Sequence, residues 1–249
     1  MTDLRAPEVL DRLIVARLTC GSAEAVVLRV PGVPDDAVPG GSSADRSPAD
    51  LPDVLDDAER ERMSRYLRAA DRARYHVAHT ALRLVLGARL DLPPAALRFD
   101  RAACPGCGEP HGRPVLAVGH LQQRAEFSIS HGGGLAAVAV APAGVDVGVD
   151  VEPVVPARTS DEIIASLHPR EQELVAQADP AGRAAAFTRI WSRKEAYLKG
   201  LGIGLGRSLA ADDLTVAPPG WDLAERDVDN HKVALAVKST VRDLAHSLM

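Results

Sequence analysis

The segment Val145–Glu152, with the sequence VDVGVDVE, constrains the fold more than any other part of this 249-residue chain. Valine occupies every odd position, and Asp146, Gly148, Asp150 and Glu152 occupy the even ones. Because a strand sends alternate side chains to opposite faces, the pattern predicts a strand whose valines enter a core. The carboxylates then share the other face.

Two of these carboxylates are close enough to share a cation. Asp150 and Glu152 are separated by about 7 Å along a strand, whereas Asp146 lies about 13 Å from Asp150. Like charges repel unless a cation or protons intervene, and hard oxygen ligands favour Mg²⁺ completed by substrate phosphates. The alternative interpretation is a solvated outer face of an antiparallel strand, and the strand alone does not decide between the two.

The segment Trp191–Lys199, WSRKEAYLK, follows an apolar helical run. At 3.6 residues per turn Trp191, Glu195 and Lys199 share one stripe, with Lys194 beside them. Glu195 could supply a third carboxylate, and the two lysines could hold anionic oxygens. The alternative is an ordinary charged helix face, because Glu195 and Lys199 also form a favourable i,i+4 pair.

The alternating glycines at 200, 202, 204 and 206 lack the Lys-Ser/Thr ending of a Walker loop. We interpret this segment as a helix C-cap followed by a connection.

Two further segments carry groups that suit anions. Residues 59–74 contain six arginines against three acidic residues, and guanidinium groups match phosphate oxygens. In SISHGGG, residues 128–134, Ser130 and His131 stand where a strand ends and glycines begin, which lets a ligand approach the backbone. A solvated helix face and a structural turn histidine are the alternatives.

The composition excludes several classes of protein. Hydrophobic residues make up 46% of the chain and the net charge is −5, which argues for a globular core and against binding to bulk nucleic acid. No apolar run is long enough to span a bilayer and the N-terminus lacks the apolar run of a signal peptide, so we expect a cytoplasmic protein. Cys104, Cys107 and His111 indicate zinc only weakly, because a second ligand pair is missing.

The order of elements predicts an α+β fold with mainly antiparallel sheets and covering helices. Strand-like patterns cover parts of 8–30, 126–130, 135–141 and 145–152, and LTVAP and HKVALAVK near the end; helical patterns cover 55–90, 161–178 and 183–199. A division near residue 142 gives an N-terminal α+β half, 1–141, and a C-terminal α+β half, 142–249.

Together these segments resemble the 4′-phosphopantetheinyl transferases of the Sfp type, the larger class that forms a pseudo-dimer in one chain. The basic helix, the Gly112-Arg113-Pro114 step, FSISH, VGVDVE and WSRKEAYLK follow in the family's order over about residues 55–206. The resemblance implies two similar α+β halves with the active site at their interface.

The resemblance also implies the reaction. The enzyme would bind coenzyme A and Mg²⁺, or Mn²⁺ in its place, and transfer 4′-phosphopantetheine to a serine of an apo acyl, peptidyl or aryl carrier protein. The other product would be adenosine 3′,5′-bisphosphate, and the pathway fatty-acid, polyketide or nonribosomal-peptide biosynthesis. We expect a monomer with no nucleic-acid or membrane partner. The competing hypotheses are a non-catalytic coenzyme A or nucleotide-binding regulator and a magnesium-dependent phosphohydrolase.

Roles carried over from the resemblance cover three kinds of residue. The metal ligands would be Asp150, Glu152 and Glu195. Glu195 would also act as the base, directly or through a bound water, and Lys199 would offset charge on the leaving oxygen. Coenzyme A would be bound by Arg60, Arg62, Arg65, Arg74, Arg113, Pro114, Ser130, His131, Lys194 and Lys199. Within the last set, Ser130 and His131 match the turn at the 3′-phosphate, and Lys194 and Lys199 match pyrophosphate contacts. Two departures are Arg113, where many relatives have lysine, and Gly132–Gly134, where many have a polar or basic residue.

Overall fold

The computed structural model describes residues 8–33, 51–105, 107–110, 112–117, 125–154 and 161–239. The helices are α1 Glu8–Asp11, α2 Asp57–Ser64, α3 Ala69–Leu90, α4 Asp161–Ile164, α5 Pro169–Gln177 and α6 Arg183–Leu201. The strands are β1 Ile14–Cys20, β2 Ala23–Arg29, β3 Phe99–Arg101, β4 Pro114–Leu116, β5 Ala125–Gly132, β6 Leu135–Pro142, β7 Val147–Pro153, β8 Trp221–Val228 and β9 His231–Lys238.

Two antiparallel sheets dominate, with strand orders β1-β2-β6-β5 and β7-β9-β8, beside a short β3-β4 ribbon. The predicted α+β class with antiparallel sheets is therefore confirmed. Both sheets contain the same pattern: a strand (β2 or β7), a long helix (α3 or α6), then two strands of which the last (β6 or β9) lies in the middle; the first sheet has β1 as an additional edge strand. This repeated order supports two similar halves, and their boundary near residue 142 stays a prediction.

The elements stack in layers. Helix α3 packs its apolar face on the outer side of the first sheet. The inner faces of both sheets form a second core, in which Val147, Val149 and Val151 of β7 are fully buried. Helix α6 covers the outer side of the second sheet through Ala196 and Tyr197. The predicted valine face is confirmed, and none of the helices in the described ranges is long and apolar enough to cross a membrane.

The edge strands β5 and β7 of the two sheets lie side by side. The Ser128 hydroxyl accepts a hydrogen bond from Val149 N at 3.0 Å. Further along, a Cβ at Gly132 would lie only 2.5 Å from Val151 O. The seam therefore needs small residues on β5, and it brings the SISH strand end against the acidic strand.

Two predicted helices are broken. Helix α2 ends at Ser64 and α3 begins at Ala69, so Leu67, which lies inside the predicted 55–90 helical segment, is 95% exposed. The guanidinium of Arg72 donates to the carbonyl oxygens of Tyr66 and Leu67 at 2.8 and 3.2 Å, which holds the break open. The 161–178 helix is also divided, because His168 caps a new helix that begins at Pro169.

The prediction that LTVAP forms a strand is wrong. The N–H of Leu214 donates to the buried Glu171 carboxylate at 2.7 Å. The carbonyl oxygens of Leu214 and Thr215 accept from Arg193, both at 2.9 Å. Because side chains satisfy these backbone groups, the segment joins no sheet, and the following Trp221–Val228 forms the strand instead.

Candidate active site

Close packing of α6 on β7 builds the site. A Cβ at Gly148 would overlap the carbonyl oxygen of Ala196 and would lie 2.5 Å from Gly200 N, so only glycine permits this approach. Helix α6 therefore lies directly over the even-numbered face of β7, and Asp150 is only 2% exposed. This observation excludes the alternative of a solvated outer strand face.

Asp150 is the centre of a polar cluster that joins the two sheets. Lys199 Nζ donates to Asp150 Oδ1 at 2.6 Å and to the Ser130 hydroxyl at 2.8 Å. Ser130 in turn donates to the same Oδ1 at 2.8 Å, so its hydroxyl is engaged within the protein rather than open to a 3′-phosphate. The other oxygen, Asp150 Oδ2, is buried without a hydrogen-bond partner among the described residues, and it can accept a ligand.

Two further carboxylates surround this cluster. The pKa of Glu152 is raised to about 7, first by burial and then by the charges of Asp150 and Glu195. The charge of Lys199 and a hydrogen bond from Trp191 lower it in part. Burial and then Asp150 also raise the pKa of Glu195. Burial is the largest cause of both shifts, and mutual repulsion between the carboxylates, which a cation would relieve, comes second.

The donor set fits Mg²⁺, since it consists of hard carboxylate oxygens with one buried oxygen left unbonded. In the described ranges, however, no three His, Cys, Asp or Glu side chains are already arranged to hold an ion. Lys199 provides the positive charge next to Asp150. The magnesium site of Asp150, Glu152 and Glu195 therefore stays a prediction.

The N-terminal half faces this cluster with cationic groups. Arg74 Nε donates to Gly133 O at 2.5 Å, which fixes the guanidinium beside the turn after His131. The imidazole of His131 has an exposed edge in a crowded cleft. Partial removal from water, followed by the charges of His79, Lys199 and Arg74, lowers its pKa. A further positive charge on the His131 ring is unfavourable beside these cations, whereas an anionic ligand at the same place would be stabilised.

A cavity of about 480 Å³ opens from Lys199 between the N-terminal segments and the end of α6. Its lining includes Arg113, Pro114, Phe127, Ile129, Gly202 and Ile203. Its volume lies in the range of small-molecule sites. Arg113 itself pairs with Glu126 at 3.2 Å.

The glycine-rich segment after α6 has two roles. The predicted C-cap is confirmed, because Gly202 has φ 73° and its N–H donates to Lys199 O at 3.1 Å. The same segment lines the cavity, with Gly202 lying against the Arg113 side chain. We had not predicted this second role, although glycines directly after a functional helix are a usable signal.

The structure contradicts the prediction that Lys194 contacts pyrophosphate. Its side chain is 2% exposed, and Nζ donates to the carbonyl oxygens of Leu209 and Asp212 at 2.7 and 2.9 Å. It also pairs with the fully buried Glu171 at 3.0 Å. An ammonium group has three donors, and all three are used inside the C-terminal half.

Three predicted phosphate ligands do not line the cavity. Arg60 pairs with Asp53 at 2.6 Å, and Arg65 pairs with Glu61 at 2.6 Å, both at the surface. Arg62 and Arg65 line a second, open depression of about 570 Å³ on α2. Of the predicted arginines, the structure thus brings Arg74 and Arg113 to the cleft.

Of the candidate zinc ligands, Cys104 lines the mouth of the cavity and Cys107 is exposed. His111 lies outside the described residues, so the weak zinc hypothesis gains no support.

A buried carboxylate cluster faces cationic groups at the end of a ligand-sized cavity, an arrangement that suits a phosphorylated ligand with a cation. Residues 146–246 match the sequence model of the "4'-phosphopantetheinyl transferase superfamily". The chain is 29% identical to 4′-phosphopantetheinyl transferase HetI of Nostoc sp., in an alignment covering 74% of this chain and 78% of that protein.

Two other relatives match over shorter parts of their own length. A putative 4′-phosphopantetheinyl transferase of Synechocystis sp. is 27% identical, over 63% of this chain and 60% of that protein. The L-aminoadipate-semialdehyde dehydrogenase-phosphopantetheinyl transferase of Mus musculus is 26% identical, over 67% of this chain and 54% of that protein. In both cases less than two thirds of the relative is spanned.

The chain is similar to members of the 4′-phosphopantetheinyl transferase superfamily, through the match of residues 146–246 and through these relatives. The resemblance predicted from the motifs is confirmed, and with it the prediction of an enzyme of this class.

Proposed function

We propose that the protein transfers 4′-phosphopantetheine from coenzyme A to a serine hydroxyl of an apo carrier protein, and releases adenosine 3′,5′-bisphosphate. One observation carries the proposal: the Asp150–Lys199–Ser130 cluster joins both sheets at the end of a cavity. The carboxylates and the cationic turn therefore face one ligand from two sides. Because one chain supplies the groups on both sides of the site, the arrangement also supports a monomer. The cytoplasmic location stays a prediction.

Different residues would bind coenzyme A and activate the carrier serine. Arg113 and Pro114 would contact the nucleotide end of coenzyme A in the cavity, and His131 and Arg74 would face its phosphates. Glu195 would take the proton of the carrier serine as a general base, directly or through a bound water. The serine oxygen then forms a bond to the pantetheine-side phosphorus.

The bond from that phosphorus to the bridging oxygen breaks, and the bisphosphate leaves with that oxygen. Lys199 lies in the cluster and would offset the new negative charge. Mg²⁺, bound by Asp150, Glu152 and Glu195, would neutralise pyrophosphate charge. Positioning and electrostatics would thus supply most of the rate, as in other phosphoryl transfers.

The test is to incubate the protein with coenzyme A, MgCl₂ and an apo carrier, and to measure the carrier by intact-protein mass spectrometry. We expect a mass gain of one phosphopantetheine per carrier. Asp150→Ala should lose the gain, whereas Asp227→Asn, an exposed carboxylate on β8, should keep it. No gain with acyl, peptidyl and aryl carriers would refute the proposal, and coenzyme A binding without transfer would favour the regulator hypothesis.

A further inference from the structure

The α2–α3 break presents an apolar residue surrounded by arginines. Leu67 is 95% exposed, more than any other large hydrophobic side chain in the described ranges. Arg62, Arg65 and Arg68 flank it and are also exposed. We call these four residues the Leu67 rim.

The rim has a fixed conformation. Arg72 donates to the carbonyl oxygens of Tyr66 and Leu67, and the Tyr66 ring packs against Tyr75 of α3 with centroids 5.6 Å apart. The backbone thus holds Leu67 outward, where its apolar surface remains in water. Such exposure is unfavourable unless a partner covers it.

The charge of the rim differs from that of the whole chain. The net charge is −5, yet residues 59–74 carry six arginines against three acidic residues. Arg65 is partly neutralised by Glu61, while Arg62 and Arg68 have no ion pair among the described residues. The surface is therefore complementary to a protein face that combines carboxylates with an apolar side chain.

The rim is close to the reaction centre. Arg74 lies six residues after Arg68, the N-cap of α3 and a member of the rim, which corresponds to about 9 Å along the helix. Its guanidinium contacts Gly133 O beside His131. A protein that covers the rim would thus stand at the entrance of the cleft.

We propose that the Leu67 rim docks the carrier protein, receiving an acidic helix next to the acceptor serine. The inference rests on the proposed function, since a serine on another protein must reach Glu195 and Lys199. Leu67 supplies the apolar contact, and Arg62, Arg65 and Arg68 steer and align the acidic helix.

The test compares Leu67→Asp and Arg68→Glu with wild type, using an apo type II acyl carrier protein and an apo peptidyl carrier domain. We expect the KM for the carrier to rise about tenfold or more, with the KM for coenzyme A unchanged. Val216→Asp and Arg226→Glu are matched controls, because both residues are exposed outside the rim, and their KM values should equal wild type.

A second measurement does not depend on transfer. Binding of an apo carrier whose acceptor serine is replaced by alanine is measured by calorimetry at two NaCl concentrations. We expect both rim variants to weaken binding, and Arg68→Glu to lessen its salt dependence. If both variants bound the carrier as tightly as wild type, the assignment of the Leu67 rim as the docking surface would be wrong, and the proposed function would be unaffected.

Other outcomes separate the two proposals. Carrier binding that depends on Leu67, without any transfer by wild type, would overturn the proposed function and retain the docking surface. A wild-type dimer in light scattering that Leu67→Asp converts to a monomer would identify the rim as a self-interface, and so overturn the carrier assignment.

Discussion

The two halves share an order of strands but contribute opposite charges to the site. The C-terminal half provides Asp150, Glu152 and Glu195, whereas the N-terminal half provides the Arg74 guanidinium beside the turn after His131. Lys199 is the exception, since it comes from the acidic half and neutralises it. Under the proposed function, this difference would correspond to a division of roles, with chemistry in the C-terminal half and phosphate recognition in the N-terminal half.

Glycines serve this division differently in each half. Gly148 lets α6 press on β7 and so creates the acidic cluster. Gly133, with φ 54°, lies over His231, whose ring would overlap a Cβ at that position. A Cβ at Gly132 would also lie only 2.5 Å from Val151 O, so side chains at 132 and 133 both lack room in this fold. Under the proposed function, recognition there would depend on His131, Arg74 and the backbone.

The strongest test of the division is Glu195→Gln. We expect turnover to fall by about 10²–10⁴-fold, because the amide cannot take the serine proton. Coenzyme A binding, measured by calorimetry, should persist, since the N-terminal half is intact. Glu173→Gln, on the exposed face of α5, is the control. Normal turnover in Glu195→Gln would remove Glu195 as the base and would place the chemistry elsewhere.

Lys194 and Lys199 lie on the same helix, α6, but we expect their replacement to affect stability and activity differently. Lys194→Met leaves Glu171 charged and buried, so we expect the free energy of unfolding to fall by about 3–5 kcal/mol in urea titrations. Lys238→Met removes a surface pair with Asp146 and should cost less than about 1 kcal/mol. A Lys194→Met protein as stable as wild type would contradict the structural role.

Lys199→Met should behave in the opposite way. Its loss leaves the buried Asp150 without its cation, so some stability should be lost, but Lys199 is 30% exposed and water reaches the pair, so the unfolding free energy should fall less than in Lys194→Met. Transfer should nevertheless fall sharply, because the leaving oxygen loses its cation. A loss of stability equal to that of Lys194→Met, with transfer retained, would reverse the two assignments.

Strands, helix stripes and buried faces can be predicted from the sequence where they follow a regular spacing of residues. Alternating valines identify β7 and its buried face, and the i,i+4 spacing places Glu195 and Lys199 on one stripe. Periodicity does not tell which neighbours a side chain will meet. Lys194 and Lys199 look equivalent in sequence, but only the tertiary fold places the Leu209 and Asp212 carbonyl oxygens opposite Lys194.

The same limit explains the other errors. LTVAP has the composition of a strand, yet Glu171 and Arg193 take its backbone hydrogen bonds from outside the segment. Leu67 has helical spacing, yet the chain turns there because Arg72 binds two free carbonyl oxygens. In each case long side chains from elsewhere decide the local structure, and no local pattern records them.

The smallest expected effect concerns His131, the binding side of the division. Removal from water and the neighbouring cations lower the pKa of His131, which favours the neutral imidazole, so in the proposed site the ring would serve as a hydrogen-bond donor rather than as a cation. His131→Ala should therefore raise the KM for coenzyme A about tenfold, with turnover nearly unchanged, and His131→Asn should recover part of the loss by restoring an N–H donor. Initial rates at varied coenzyme A, at pH 7 and 8, provide the measurement, and the KM ratio of wild type to His131→Ala should be the same at both. A fall in turnover as large as that of Glu195→Gln would show that the N-terminal half also takes part in the chemistry.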